Sequence, residues 1–241
     1  MTAASDSLRR YKEYIETPWG RLFYRVAHAH IGDLQGLDIL DFGSGFGVTA
    51  GHYAVKNSLT AVEPNVEMTA EILSDCGYRL ITGDVNTLKQ FPDESFDYIF
   101  CHNVLEYVSD SERREIFSEF RRILRRHGKI SVIKHNPKGR VMQKVVCENR
   151  TEEAAEILKN GCCVSQSFGE ISYYDIGQLA ESCGMKIVKR LGLRTFWGLQ
   201  SNDFKYAPDW LDRLTEIELL TAEDRDFAAI SFFNHFFIEK Q

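Results

Sequence analysis

Three glycines and two polar side chains stand together in Asp41-Phe-Gly43-Ser44-Gly45-Phe-Gly47. Glycine lets a backbone turn tightly and approach a ligand without a Cβ clash. A helix that starts there aims N–H groups at negative charge. Glu63 lies eighteen positions beyond Gly45 and is followed by Pro64. An acid there suits hydrogen bonds from ribose hydroxyls. Asp84, beside Val85, is placed to accept from an adenine amino group, and His102 adds an imidazole. A glycine-rich turn that binds nothing would explain the triplet alone equally well. The series is harder to explain by packing, because each polar group closes one of four successive strands.

Those strands are read from short apolar runs. They are Leu37–Phe42, Ser58–Glu63, Tyr78–Thr82 and Phe96–Cys101, with a fifth at Lys129–Lys134. Helical spacing fills the intervals. One helix runs through Tyr53, one covers Val66–Ser74, and a long one is capped at Asp110 or Ser111 with Ile116, Phe117, Phe120, Ile123 and Leu124 on its apolar stripe. Ahead of them, Ser5 to Asp33 reads as two helices jointed at Thr17-Pro-Trp-Gly. Strands alternating with helices predict an α/β fold, a doubly wound, mostly parallel sheet that binds ligands beyond its strand carboxyl ends. The alternation lapses from Asn136 to about Ser172, where an insertion or lid is expected. It resumes with a helix at Tyr174–Cys183 and a strand at Lys186–Leu191, and Phe227–Ile238 reads as a long final strand. The expectation is one domain over 1–241, with a helical cap over 1–35 and a lid over 136–172.

The formal charge of −6 in 241 residues argues against a protein that coats nucleic acid over a broad face. No apolar run suits a membrane span, and the first residues lack a signal-peptide apolar region, so a cytoplasmic location is expected. Cys76, Cys101, Cys147, Cys162, Cys163 and Cys183 are scattered without metal-ligand spacing, so reduced thiols are expected and no metal.

The motif series resembles that of class I S-adenosylmethionine-dependent methyltransferases. The resemblance runs from about Leu37 to Ile133 and rests on Asp41-x-Gly43-x-Gly45-x-Gly47, Glu63, Gly83-Asp84 and Phe96-Asp-Tyr-Ile-Phe-Cys-His102-Asn-Val-Leu-Glu-Tyr. It implies S-adenosylmethionine as cofactor. The glycine loop would lie against its methionine part, Glu63 on the ribose and Asp84 on the adenine. Asp41, Gly43, Ser44, Gly45, Gly47, Glu63, Pro64, Asp84, Val85 and His102 form the implied set. It also implies seven strands, the last antiparallel. Leu124-Arg-Arg-His-Gly128 departs from the Leu-x-Pro-Gly-Gly turn of many members. A dinucleotide site is the lesser alternative, because its G-x-G-x-x-G places the third glycine one position later.

Three further segments look like the branch of bacterial tRNA 5-carboxymethoxyuridine methyltransferases. They are His102–Val108, His135-Asn136-Pro-Lys-Gly139 leading to Met142 and Asn149, and Gly192-Leu-Arg194-Thr-Phe196. The likeness implies a cofactor contact at His102 and another from an N-terminal arginine. Phe23 stands at that arginine's position with Arg21 and Arg25 on either side, and Arg25 is the better candidate. The implied reaction esterifies a carboxylate on a wobble uridine. A carboxylate is already a nucleophile at neutral pH and needs orientation more than a base. A bidentate arginine would hold it, Arg194 first and Arg140 second. An amine or hydroxyl acceptor would need a base, for which His102 and His135 are candidates. Arg194 equally fits a surface arginine after a strand. Lys134, His135, Lys138, Arg140 and Lys144 could receive a tRNA backbone or form a solvated loop. A small carboxylic acid, amine or hydroxyl compound is the alternative acceptor, and a non-catalytic cofactor-binding protein the alternative class.

Overall fold

Two short helices open the chain, α1 (Ala3–Glu16) and α2 (Pro18–Ile31), and Pro18 occupies the first position of the second, where its missing N–H costs nothing. The computed structural model describes residues 3–73, 77–165 and 169–241. Ser74 at the end of the helix expected over Val66–Ser74, Cys76, and residues 166–168 of the expected lid lie outside them.

The alternation follows: β1 (Asp38–Phe42), α3 (Val48–Ala54), β2 (Ser58–Glu63), α4 (Val66–Ala70), β3 (Arg79–Thr82), α5 (Val85–Leu88), β4 (Phe96–His102), α6 (Asp110–Ile123) and β5 (Leu124–His135). The expected lid region holds α7 (Pro137–Val146), α8 (Thr151–Asn160) and an antiparallel hairpin of β6 (Cys162–Ser165) and β7 (Gly169–Ser172). Then come α9 (Ile176–Ser182), β8 (Met185–Leu193), α10 (Trp210–Thr221), α11 (Arg225–Ile230) and β9 (Phe233–Lys240).

Seven strands make one sheet in the order β3-β2-β1-β4-β5-β9-β8. β1 pairs in parallel with β2 and β4, and the last strand in the chain runs antiparallel. The order reverses at β1, so its carboxyl end borders the crevice in which such sheets bind ligands.

The chain gathers into two compact units. One comprises Ile31–Ile133, Asp175–Lys189 and Phe236–Gln241; the other comprises residues up to His30, Lys134–Tyr174 and Arg190–His235. In the first, Ile39, Ala50, Tyr53, Leu59, Ala61, Tyr98 and Phe100 form a core. On α6, Ile116, Phe117, Phe120 and Ile123 are fully buried, at the spacing the sequence showed.

Several boundaries differ from the expectation. Ser109 caps α6, one residue early, because Ser109 and Glu112 form a reciprocal capping box. β5 starts at Leu124, where a helix end was expected, because Arg125 reaches Asp38 and Asp97 from an extended backbone. The final apolar run is split. Its first residues are helical in α11, capped by Asp224 accepting from Asp226 and Phe227, and only the remainder is strand.

Candidate active site

The loop after β1 is built from left-handed glycines. Gly43, Gly45 and Gly47 have φ of 75°, 57° and 76°. A Cβ on Gly43 would sit 2.3 Å from Val104, and one on Gly47 would sit 2.2 Å from the Tyr78 hydroxyl. One on Gly45 would meet nothing within 4 Å, so only the backbone demands glycine there and the space beside it is open.

Glu63 pins this loop. Its Oε2 accepts from the Gly45 N–H at 2.8 Å, and its Oε1 accepts from the Asn65 N–H at 2.9 Å. Burial raises its pKa, and the two N–H donors partly offset that rise. Asp41 is 2% exposed. Burial, then the neighbouring Glu63 charge, pushes its pKa to about 7, against an opposing hydrogen bond from the Ala50 N–H. Its Oδ2 and the Ser44 Oγ are buried without a hydrogen-bond partner. Two orphaned polar atoms beside an open glycine backbone suit a ligand with cationic and polar groups. The amino-acid end of S-adenosylmethionine carries such groups, so the residues present fit the cofactor.

Asp84 is exposed and caps α5, accepting from the Asn86 N–H at 2.9 Å; Val85 begins that helix and Pro64 is exposed after β2. His102 closes β4. Its Nε2 lies 2.8 Å from the Ser131 hydroxyl, and burial lowers its pKa to about 3. Such an imidazole stays neutral and is a weak proton acceptor at neutral pH, which makes a base role a poor fit. Asn103, not singled out in the sequence, has φ of 55° and a buried Oδ1 without a partner. Its place in the motif after β4 was legible; its backbone conformation was not.

The remaining candidates belong to the other unit. Arg25 forms an exposed ion pair with Asp212 at 2.6 Å, and Arg21 pairs with Glu16. Phe23 is buried with its ring edge-on to Phe233. His135 lies against Phe232 and Phe233. The basic cluster is turned inward, contrary to the solvent-facing stripe that phosphate docking requires. Lys134 is buried and donates to the Tyr174 carbonyl; Lys144 is buried between Glu148 and Glu153. Arg140 donates to Gln143 and faces Glu148, and of the cluster's lysines Lys134, Lys138 and Lys144 it is Lys138 that is exposed. The Asn136–Gly139 motif has a packing role. Asn136 Nδ2 donates to the Ala229 and Ser231 carbonyls, and a Cβ on Gly139 would sit 2.2 Å from the Ser231 oxygen.

Arg194 follows β8 with φ of 61°. A side chain in that region costs about 1–2 kcal/mol. Glu218, fully buried on α10, offsets the strain by accepting from the Thr195 and Phe196 N–H groups at 2.9 and 2.8 Å. Burial raises its pKa to about 7. The Arg194 guanidinium lies 4.2 Å from the Phe232 ring centre, its Nε is buried without a hydrogen bond, and no carboxylate pairs with it among the described residues. Among the described residues no cluster of metal-binding side chains occurs, and no helix is long and apolar enough to cross a membrane.

Residues 40–132 match the family described as a methyltransferase domain. No curated protein matches the sequence. Solved structures share the fold. An S-adenosylmethionine-dependent methyltransferase from Thermotoga maritima is 16% identical with a TM-score of 0.66, covering 99% of each chain. One from Mesorhizobium loti is 16% identical with a TM-score of 0.58, covering 91% of this chain and 98% of its own. A Haloferax volcanii methyltransferase, solved with the Trm112 activator, is 16% identical with a TM-score of 0.59, covering 95% and 92%. Residues 40–132 therefore match a methyltransferase domain, the chain shares its fold with S-adenosylmethionine-dependent methyltransferases, and the protein is an enzyme with S-adenosylmethionine as cofactor.

Proposed function

We propose that the enzyme esterifies a carboxylate. The observation that carries this reading is Arg194, a guanidinium held in a strained backbone conformation against Phe232 without a carboxylate of its own. A planar guanidinium matches a carboxylate by two parallel hydrogen bonds.

In this reading Asp41, Ser44 and the glycine loop hold the amino-acid end of the cofactor. Glu63 takes the ribose, with Asp84 and Val85 at the adenine. Glu63 uses one lone pair of each oxygen on the loop, and a carboxylate oxygen has a second. Bound S-adenosylmethionine supplies an electrophilic methyl group. A carboxylate acceptor, held by Arg194, would meet that methyl group already deprotonated and nucleophilic at neutral pH. No proton moves, so no base is required. A neutral His102 is compatible with this step, whereas an amine or hydroxyl acceptor would ask for a base it is poorly suited to be.

The resemblance at His102–Val108, His135–Gly139 and Gly192–Phe196 supports the carboxylate of a modified wobble uridine in tRNA as acceptor. A specific observation favours the second reading, a small carboxylic acid: Lys134 and Lys144 are buried and held by internal partners. Mass spectrometry of tRNA nucleosides from cells with and without the protein separates the two. Loss of a carboxymethoxyuridine methyl ester, restored on complementation, supports tRNA. An unchanged profile eliminates tRNA and leaves the small acid.

A further inference from the structure

Phe232 stands just ahead of β9, 6% exposed, and meets Arg194 twice. Its ring centre lies 4.2 Å from the guanidinium carbon, and its N–H donates to the Arg194 carbonyl at 3.2 Å. Its own carbonyl accepts from the Asn136 N–H at 2.9 Å. The Ser231 carbonyl beside it accepts from the Asn136 side chain, and a Cβ on Gly139 would sit 2.6 Å from the Phe232 Cα. The segments His135–Gly139 and Gly192–Phe196, separate in sequence, therefore meet on this one residue.

An arginine side chain that swings freely loses rotamer entropy when it grips a carboxylate. Here that freedom is removed beforehand. The guanidinium rests over the Phe232 ring, and Gly198 packs along the stem, where a Cβ would come within 3.1 Å of Nε and 3.3 Å of Cγ. A ring attracts a cation without cancelling its charge, as a carboxylate would. Arg140 supplies the contrast. It lies 5.6 Å from the same ring centre, but it donates to Gln143 and has Glu148 at 3.9 Å. Of the two guanidiniums on this ring, only Arg194 keeps its charge uncompensated by an acid among the described residues.

We propose that Phe232 is a positioning residue for the methyl acceptor: its ring holds Arg194 oriented and with its charge unspent, so that an acceptor carboxylate meets a grip already formed. This rests on the carboxylate reading of Arg194 and adds to it the residue that makes the arginine competent. The Asn136–Gly139 turn acts through Phe232 in the same way, by fixing its backbone.

The test uses the full chain and two readouts. The first is transfer of labelled methyl from S-adenosylmethionine into alkali-labile product, over a dilution series of small-molecule extract and of bulk tRNA. Phe232→Leu should raise the apparent KM for the acceptor pool by about fivefold to thirtyfold, the equivalent of one partly desolvated cation–π contact, with kcat and S-adenosylhomocysteine affinity little changed. Phe232→Tyr, which keeps the ring, should restore the parent KM. The second readout is the Arg194 Nε–Hε signal in nitrogen-edited NMR, assigned by its absence in Arg194→Met. The ring should shift it upfield in the parent, and Phe232→Leu should move it downfield. An unchanged KM in Phe232→Leu would overturn the proposal, as would an equal loss of S-adenosylhomocysteine affinity, which would make Phe232 a part of the fold only. If Phe232→Leu does not fold, Phe232→Met, apolar and without a ring, decides by the same criteria. Label that resists alkali in the parent, or no transfer at all, removes the carboxylate reading, and the positioning role falls with it. The NMR shift without the KM change removes the positioning role alone.

Discussion

At Asp41 a carboxylate is kept where ionising it is costly. Its pKa of about 7 stands above an unfolded value near 3.8. A raised acid makes its full contribution to stability below the unfolded pKa and loses it as pH rises through the folded pKa. The ligand-free protein should therefore lose stability from Asp41 between about pH 4 and pH 7. Asp41→Asn keeps an acceptor for the Ala50 N–H and removes the charge. It should raise the melting temperature of the ligand-free protein at pH 7.5 and flatten its pH dependence, while weakening S-adenosylhomocysteine binding tenfold or more. In the parent, an ammonium bound by Asp41 favours the ionised form, so affinity should rise with pH up to about 7 and then level off. Calorimetry across that range checks both. Glu63→Ala should weaken binding by about 1–3 kcal/mol, the usual cost of lost polar pairing, measured by the same titration. A pH-independent affinity in the parent would contradict the role given to Asp41.

At the scale of elements, the loop after β8 depends on α10. Glu218 accepts from two successive N–H groups and so fixes the turn that presents Arg194. Glu218→Gln keeps the shape and loses one acceptor. It should lower kcat/KM for the acceptor by about tenfold to a hundredfold, the kinetic equivalent of one lost charged hydrogen bond, with little change in S-adenosylhomocysteine affinity. Equal loss of both would mean that Glu218 only supports the fold. The motifs after β1, β2, β3 and β4 were legible in the sequence because strand-end chemistry is local: a glycine turn, an acid and a histidine each occupy a fixed place in one βα unit. The setting of Arg194 was not, because tertiary packing puts its guanidinium against Phe232 and beside Gly198. The split of Phe227–Ile238 was hidden for another reason. An unbroken apolar run has no period to tell helix from strand, although Asp224 ahead of it was a cap signal.

Over the whole molecule, the seven-stranded, mostly parallel sheet and its antiparallel final strand were foreseeable from alternation and from the resemblance. The partition of cations between surface and interior was not. Lys134 and Lys144 fit a solvated loop in sequence, and both are buried. Burial of a lysine is decided by what the fold sets beside it. That difference favours a small carboxylic acid as acceptor over a basic stripe for nucleic acid. The measurement that tests this most directly is transfer of labelled methyl from S-adenosylmethionine to tRNA and to a small-molecule extract, followed by mild alkali. The account predicts label that is released as methanol, as from an ester, and whose incorporation is lost in Arg194→Met. Label that survives alkali would place the methyl group on nitrogen, carbon or an ether oxygen and contradict the carboxylate as acceptor.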